Sequence, residues 1–193
     1  VALTFDDGPH PEATPAVLDE LDRLGLPATF FPLGRHVRRH GELVAEVRAR
    51  GHAVGTHGFD HAHHLLRPPG WARADLARAA VALAQAGVHP TWFRPPYGQA
   101  TLDTLAAARR RGWRTVLWSA WGREWTTTDP AVVAARVARR LAPGAVVLLH
   151  DNDAFGPAGM WRVAKDALGP LAEELDRRGL QAVTLDQLVG APR

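Results

Sequence analysis

The feature that most constrains this chain is the alternation of short apolar runs with longer amphipathic stretches from one end to the other. Apolar runs begin near Val1, Ala28, His52, Thr91, Arg114, Ala145 and Gln181. Between them, Pro15 to Leu24 places Val17, Leu18, Leu21 and Leu24 at helical spacing, and Glu42 to Arg50 repeats the pattern with Leu43, Val44 and Val47. Trp71 to Ala86, Thr101 to Arg111, Pro130 to Leu141 and Val163 to Arg178 follow. Gly25, Gly51, Gly87, Gly112 and Gly179 each stand just past a predicted helix end, where a left-handed cap is wanted. Strands separated by helices pair in parallel, with the helices packed outside the sheet. Seven such units suit a small, distorted (β/α) barrel or an open doubly wound sheet. No linker interrupts the rhythm, so residues 1–193 are expected to form a single domain.

Composition excludes several classes. The chain has no cysteine, so a metal site would have to be built from His, Asp and Glu. Lys and Arg number 23 against 20 acidic residues, and Lys165 is the only lysine. The arginines are dispersed over helix faces beside acids, so no nucleic-acid-binding stripe is expected. No apolar run reaches the roughly 18 residues of a membrane span. The sequence opens directly on Val1-Ala2-Leu3-Thr4-Phe5, already a core strand, so an upstream leader or linker is expected and location stays open.

In parallel α/β folds the functional site forms at the C-terminal ends of the strands. Reactive residues collect there. The first run leads into Asp6-Asp7-Gly8-Pro9, the third into His57-Gly58-Phe59-Asp60-His61, the fourth into Arg94-Pro95-Pro96-Tyr97. The fifth leads to Ser119 and Glu124-Trp125, and the sixth ends at His150-Asp151. His57 and His61 are four apart, so on a helical turn they would share a face and could grip one ion. A His-rich surface loop is the competing reading, and His63 is a rival ligand, although a spacing of six faces away on a helix. His36, His40, His63, His64 and His89 are expected at the surface, and His10 and His52 in structural or peripheral roles. Asp6 and Asp7 would point in opposite directions from an extended segment. One carboxylate could then bind metal while the other takes a proton; an Asp-Gly turn is the alternative. The stretch from His57 to Gly70 is a long loop, and long loops in compact domains tend to be functional.

Five segments, in order, resemble the polysaccharide deacetylases, the family sharing the NodB homology domain (carbohydrate esterase family 4). They are Thr4-Phe5-Asp6-Asp7-Gly8-Pro9, His57-x-x-x-His61, Arg94-Pro95-Pro96-Tyr97, Ser119 to Trp125, and Leu148-Leu149-His150. The resemblance implies a distorted seven-stranded (β/α) barrel and removal of acetyl groups from a carbohydrate. It implies that Asp7, His57 and His61 hold one divalent ion, with zinc first and cobalt, nickel or manganese as other candidates. It also implies Asp6 as general base, Arg94 as its orienting partner, the Tyr97 N–H as an oxyanion donor and His150 as general acid. Leu148 would line the acetyl pocket, with Pro95, Trp121 and Trp125 as further substrate contacts.

Two departures stand out. Gly58 replaces the Ser or Thr that usually follows the first His, so Asp60 or the packing of Phe59 would have to fix the loop. Glu124 replaces an Asp that tunes the acid His, and either Glu124 or Asp151 should lie beside His150. The resemblance admits chitin oligomers, peptidoglycan and acetylxylan, an extracellular or cell-envelope setting, and a monomer. Hydrolysis of a non-sugar amide and carbohydrate binding by a vestigial site are the competing functions.

Overall fold

The computed structural model describes residues 1–190. Seven strands lie parallel: β1 Ala2–Asp6, β2 Ala28–Phe31, β3 Ala53–Val54, β4 Trp92–Phe93, β5 Arg114–Thr115, β6 Ala120–Trp121 and β7 Val146–His150. Five pair in the order β3-β2-β1-β7-β6, and β4 pairs with β5. A parallel bridge between Thr56 and Phe93 carries the pairing past β3 to β4. The strands therefore follow one curved wall whose edges are β5 and β6. Arg94 Nη2 reaches across that gap to the carbonyl of Leu117 at 3.3 Å.

Among the described residues nine α-helices cover this wall: α1 Ala13–Leu24, α2 Gly34–Val37, α3 Gly41–Ala49, α4 Trp71–Gln85, α5 Leu102–Arg110, α6 Pro130–Ala138, α7 Met160–Asp166, α8 Leu168–Arg177 and α9 Leu185–Val189. The five glycines predicted to close helices have φ between 64° and 85°, the left-handed conformation that a residue without Cβ adopts freely.

The strand count agrees with the sequence, but one member differs. The segment at Gln181 does not form a strand. It lies beside the start of β1 through bonds from the Val1 amino group to Gln181 O and from Val183 N to Val1 O, then enters α9 through a capping box at Thr184. The seventh strand is instead β6, whose two residues lie between Ser119 and Gly122 and so belong to no apolar run. The expected helix from Val163 to Arg178 is two helices that meet at Ala167. Pro170 has no N–H to give the carbonyl of Asp166, which explains the break.

Alternation along the strands decides what faces the interior. On β1, Leu3 and Phe5 join the main apolar cluster, with Val17, Leu18 and Leu21 of α1 and Leu168, Leu171 and Leu175 of α8. Thr4 and Asp6 point the other way, into the barrel. On β7, Val147 and Leu149 face the helices, while Leu148 and His150 face inward. The β1–β7 register pairs Thr4 with Leu148 and Asp6 with His150. Two ionisable groups thus emerge side by side at the top of the two central strands.

Phe5 is fully buried and stacks on Phe30 with ring centroids 5.1 Å apart. Phe5→Ala should lower unfolding free energy by about 3–5 kcal/mol in denaturant titrations. Because Phe5 faces the helices, turnover per folded molecule should change little.

Candidate active site

The site is organised around Arg94, which is fully buried at the end of β4. Its Nη1 donates to Asp6 Oδ1 at 2.8 Å and to Thr4 Oγ1 at 2.7 Å. The guanidinium lies over the ring of Phe31 at 4.2 Å. The same residue's carbonyl accepts from His57 Nδ1 at 2.8 Å. A carbonyl can only accept, so Nδ1 carries the proton and His57 Nε2 offers a lone pair to the interior.

Asp6 and Asp7 do not point apart. Asp7 has φ 76°, outside the extended region, so its carboxylate turns to the side that Asp6 faces. Asp7 Oδ1 stands 3.6 Å from His57 Nε2 and 3.4 Å from His61 Nε2. Asp6 Oδ2, the oxygen not taken by Arg94, is 3.7 Å from His57 Nε2. The Asp7 carbonyl is held from behind by His36 Nδ1 at 2.8 Å and Asn152 Nδ2 at 3.2 Å.

His57 and His61 converge through a bend, not a helical turn. The bend is fixed by Asp75 of α4, buried to 1% exposure. Asp75 Oδ2 accepts from the Phe59 N–H at 2.8 Å and Oδ1 from the Asp60 N–H at 3.0 Å. Gly34 N donates to the carbonyl of Gly58, and Arg35 N to that of Phe59. Phe59 is buried, with the Arg78 guanidinium over its ring at 4.5 Å. Of the two expected anchors, Phe59 packing is present, while Asp60 contributes its backbone N–H and a side-chain ion pair to Arg78. Asp75 carried no recognisable pattern in the sequence.

His150 Nδ1 lies 2.7 Å from Glu124 Oε1, so the longer side chain at 124 does reach the imidazole. Asp151 faces elsewhere, accepting from Thr14 Oγ1 at 2.6 Å. Burial opposes charge on His150, but Glu124 outweighs it and pushes the imidazole up to about 9. His150 Nε2 points to the centre, 4.0 Å from Asp7 Oδ2. The groups around Asp7 show the reverse. Burial holds His57 down to about 3 and His61 to about 2, so both are neutral, and raises Asp7 to about 7.

These groups line a cavity of about 320 Å³. Leu148, Trp121, Trp125 and Tyr97 lie on its wall, as the sequence predicts, together with Trp118, Phe155 and Met160. Phe155 stacks on His61 with centroids 4.0 Å apart. Trp125 meets His150 edge-on at 5.7 Å. Tyr97 adopts a left-handed backbone, φ 59° and ψ 10°. Pro95 is buried and is not among the lining residues. His63 does not join the Asp7, His57 and His61 cluster: its ring lies flat on Tyr97, 3.5 Å away. His64 is buried against Thr104, and His36 is half-buried behind Asp7, so neither is the surface residue expected. His52 and His10 do serve the backbone, accepting from the N–H groups of Ala28 and of Glu12 and Ala13.

The residues present fit a divalent ion. One ligand atom from each of Asp7, His57 and His61 can be chosen so that all lie within 4.8 Å of one another. Asp7 Oδ1 is buried with no hydrogen-bond partner among the described residues. An orphaned carboxylate oxygen facing two neutral imidazoles is the arrangement a cation completes.

A family model described as polysaccharide deacetylase matches residues 1–116. The chain belongs to the polysaccharide deacetylase family. This deacetylase is 36% identical to a chitooligosaccharide deacetylase of Bradyrhizobium sp. (strain ANU 289), over 97% of this chain and 90% of the relative. It is 33% identical to a peptidoglycan-N-acetylglucosamine deacetylase of Bacillus cereus, over 98% of this chain and 87% of the relative. A family 4 acetyl xylan esterase from Clostridium thermocellum, solved in complex with a cobalt ion, superimposes with a TM-score of 0.88 at 28% identity, covering 99% of this chain and 92% of that one. The expected distorted (β/α) barrel and polysaccharide deacetylase activity are borne out, and no helix among the described residues is long and apolar enough to cross a membrane.

Without an ion, Asp7 weakens the fold near neutrality. Its carboxyl stays protonated to about pH 7 when folded but ionises in the ordinary carboxylate range when unfolded. Raising the pH through that window favours the unfolded chain. Asp7→Asn should therefore raise the Tm of metal-free protein at pH 7 and abolish the further rise that divalent ions give the wild type. A metal-free variant that melts below the wild type would contradict this.

Proposed function

We propose that this deacetylase is a metal-dependent hydrolase that removes N-acetyl groups from an amino-sugar oligomer or polymer. The observation that carries the reading is the placement of Asp6 and His150. They are register partners on adjacent strands, and both line the cavity that holds the Asp7, His57 and His61 cluster. The choice of N-acetyl over O-acetyl follows the two curated relatives described above.

A divalent ion held by Asp7, His57 and His61 would supply Lewis acidity and lower the pKa of a water towards about 7. Asp6 is placed to take a proton from a water that attacks the acetyl carbonyl. Its Oδ1 is tied to Arg94, which leaves Oδ2 for the proton and fixes the direction from which it acts. The Tyr97 N–H, on a left-handed turn at the cavity wall, donates to the oxyanion; one such donor is typically worth about 2.7–4 kcal/mol. His150 Nε2 delivers a proton to the departing amine, and Glu124 on Nδ1 keeps the imidazole charged for that task. Leu148 and Met160 supply an apolar wall for the acetyl methyl, and Trp121 and Trp125 offer rings for sugar stacking.

The test is acetate release from N-acetylated chito-oligosaccharides by metal-stripped and metal-restored protein. Activity should disappear with the ion and return with it; no release in either state would overturn the proposal. Asp6→Asn should keep the metal but lose on the order of 10²–10⁴ in kcat, whereas His57→Ala should lose metal and turnover together. A fully active Asp6→Asn would remove Asp6 as the base.

The acid role fixes the sign of the pH dependence. Activity should fall as pH rises through the His150 pKa. Glu124→Gln removes the negative charge that raises it, so the basic limb should move to lower pH. A limb at unchanged pH would exclude Glu124 from the mechanism.

A further inference from the structure

The bend between His57 and His61 has an unusual construction. Its two outward carbonyls, at Gly58 and Phe59, are satisfied by N–H groups at the start of α2. The N–H groups of Phe59 and Asp60 turn the other way, and both end on one carboxylate, that of Asp75. Asp75 sits on the first turns of α4, buried among apolar neighbours including Leu76 and Ala79. Arg78, one turn further on, donates to Asp75 Oδ1 at 3.0 Å and to Asp60 Oδ2 at 2.7 Å. A charge buried to this degree is tolerated when it is paired and hydrogen-bonded on both oxygens, and Asp75 meets that condition.

Gly58 belongs to the same device. Its φ is +82°, and a Cβ there would stand 2.8 Å from Asp75 Oδ2. A side chain at 58 would strain the bend and push Asp75 off the two N–H groups. The missing Ser or Thr at position 58 and the carboxylate at position 75 are thus two halves of one solution. Next to the motif only the Thr56 hydroxyl helps, accepting from the Gly58 N–H at 3.3 Å; the N–H groups of Phe59 and Asp60 are held from α4 by Asp75.

We infer that Asp75 is a positioning residue that sets the metal affinity of the site by fixing the spacing of His57 and His61. The inference rests on the metal-dependent reading above. Asp75 touches neither imidazole; it acts on the two residues that precede His61. His61 depends most on this support, because its Nδ1 has no hydrogen-bond partner among the described residues. His57, by contrast, is already oriented by the Arg94 carbonyl. Groups that orient metal ligands typically carry 10–100-fold in affinity when removed.

The experiment is a zinc titration of metal-free protein against a chromophoric chelator, for wild type, Asp75→Ala, Asp75→Asn and Asp75→Glu. Failure of the wild type to bind zinc would sink the metal-dependent reading itself and, with it, this inference. With wild-type binding established, Asp75→Ala should bind zinc about 10–100-fold more weakly. Asp75→Asn nearly preserves shape but sets an N–H donor against a backbone N–H, and should also weaken binding if the alanine variant fails to fold. Asp75→Glu should recover part of the loss. At saturating zinc, KM for a chito-oligosaccharide should be close to wild type and kcat largely restored. Wild-type zinc affinity in Asp75→Ala or Asp75→Asn, with only a lowered Tm, would assign Asp75 to stability alone and overturn the inference.

Discussion

Arg94 is the residue on which the site depends. Its side chain fixes Asp6 and Thr4, and its carbonyl fixes His57. One residue at the end of one strand thus sets the direction of a proposed base and the tautomer of a proposed ligand. Bringing a guanidinium into a dry interior is costly, and burial lowers its pKa. The cost is offset by the Asp6 carboxylate, by the Leu117 carbonyl and by the face of Phe31. The gap between β5 and β6 has a role in this. A closed ladder there would engage the Leu117 carbonyl in strand pairing; the open edge leaves it to Arg94.

The cavity is electrostatically divided. On one side Asp7, His57 and His61 are pushed by burial towards their neutral forms. On the other, His150 is held charged by Glu124 against the same burial. The division comes from partners, not from depth, since all four groups are largely desolvated. His150 has a carboxylate at 2.7 Å on the nitrogen that faces away from the cavity. Asp7 Oδ1 has no hydrogen-bonding partner at all among the described residues. A cation would supply the missing charge on the first side and leave the second intact. The fold therefore carries, without an ion, a site whose destabilisation is local and is offset by the continuous apolar packing of β1 and β7 against α1 and α8.

How much of this was legible in the sequence follows from where the signals come from. Period and punctuation gave the strands and helices, because burial on a parallel sheet forces unbroken apolar runs and left-handed caps favour glycine. They failed at β6, where Ser119 and Gly122 bracket the two residues and no apolar run extends past them, and at Val163 to Arg178, where one proline outweighs a helical pattern. The site residues were legible because reactive groups fall at the ends of strands whose inward face is set by alternation, as with Asp6 and His150. Asp7 was placed on the wrong side of that alternation by reading it as extended; its positive φ belongs with the alternative, the Asp-Gly turn, because Asp tolerates the left-handed region. Asp75, Asn152 and His36 were not legible as site residues. They act through backbone groups, and a hydrogen bond to a backbone N–H or carbonyl imposes no pattern on the residue that receives it.

The two departures from the family motifs have a common physical form. At position 58 a hydroxyl-bearing side chain is absent, and a carboxylate from α4 takes up the backbone N–H groups of the bend. At position 124 the carboxylate is one methylene longer, and it reaches His150 Nδ1 at 2.7 Å. Glu124 begins a 3-10 turn behind Arg123, which has φ 54°, so the chain turns away before the side chain reaches in. At the bend the support comes from another element, α4, while at position 124 it comes from the motif itself through a longer side chain. The geometry at the centre is set by bond lengths and charge and has little freedom. The supports need only deliver an acceptor to a fixed point, and any element within reach can do so.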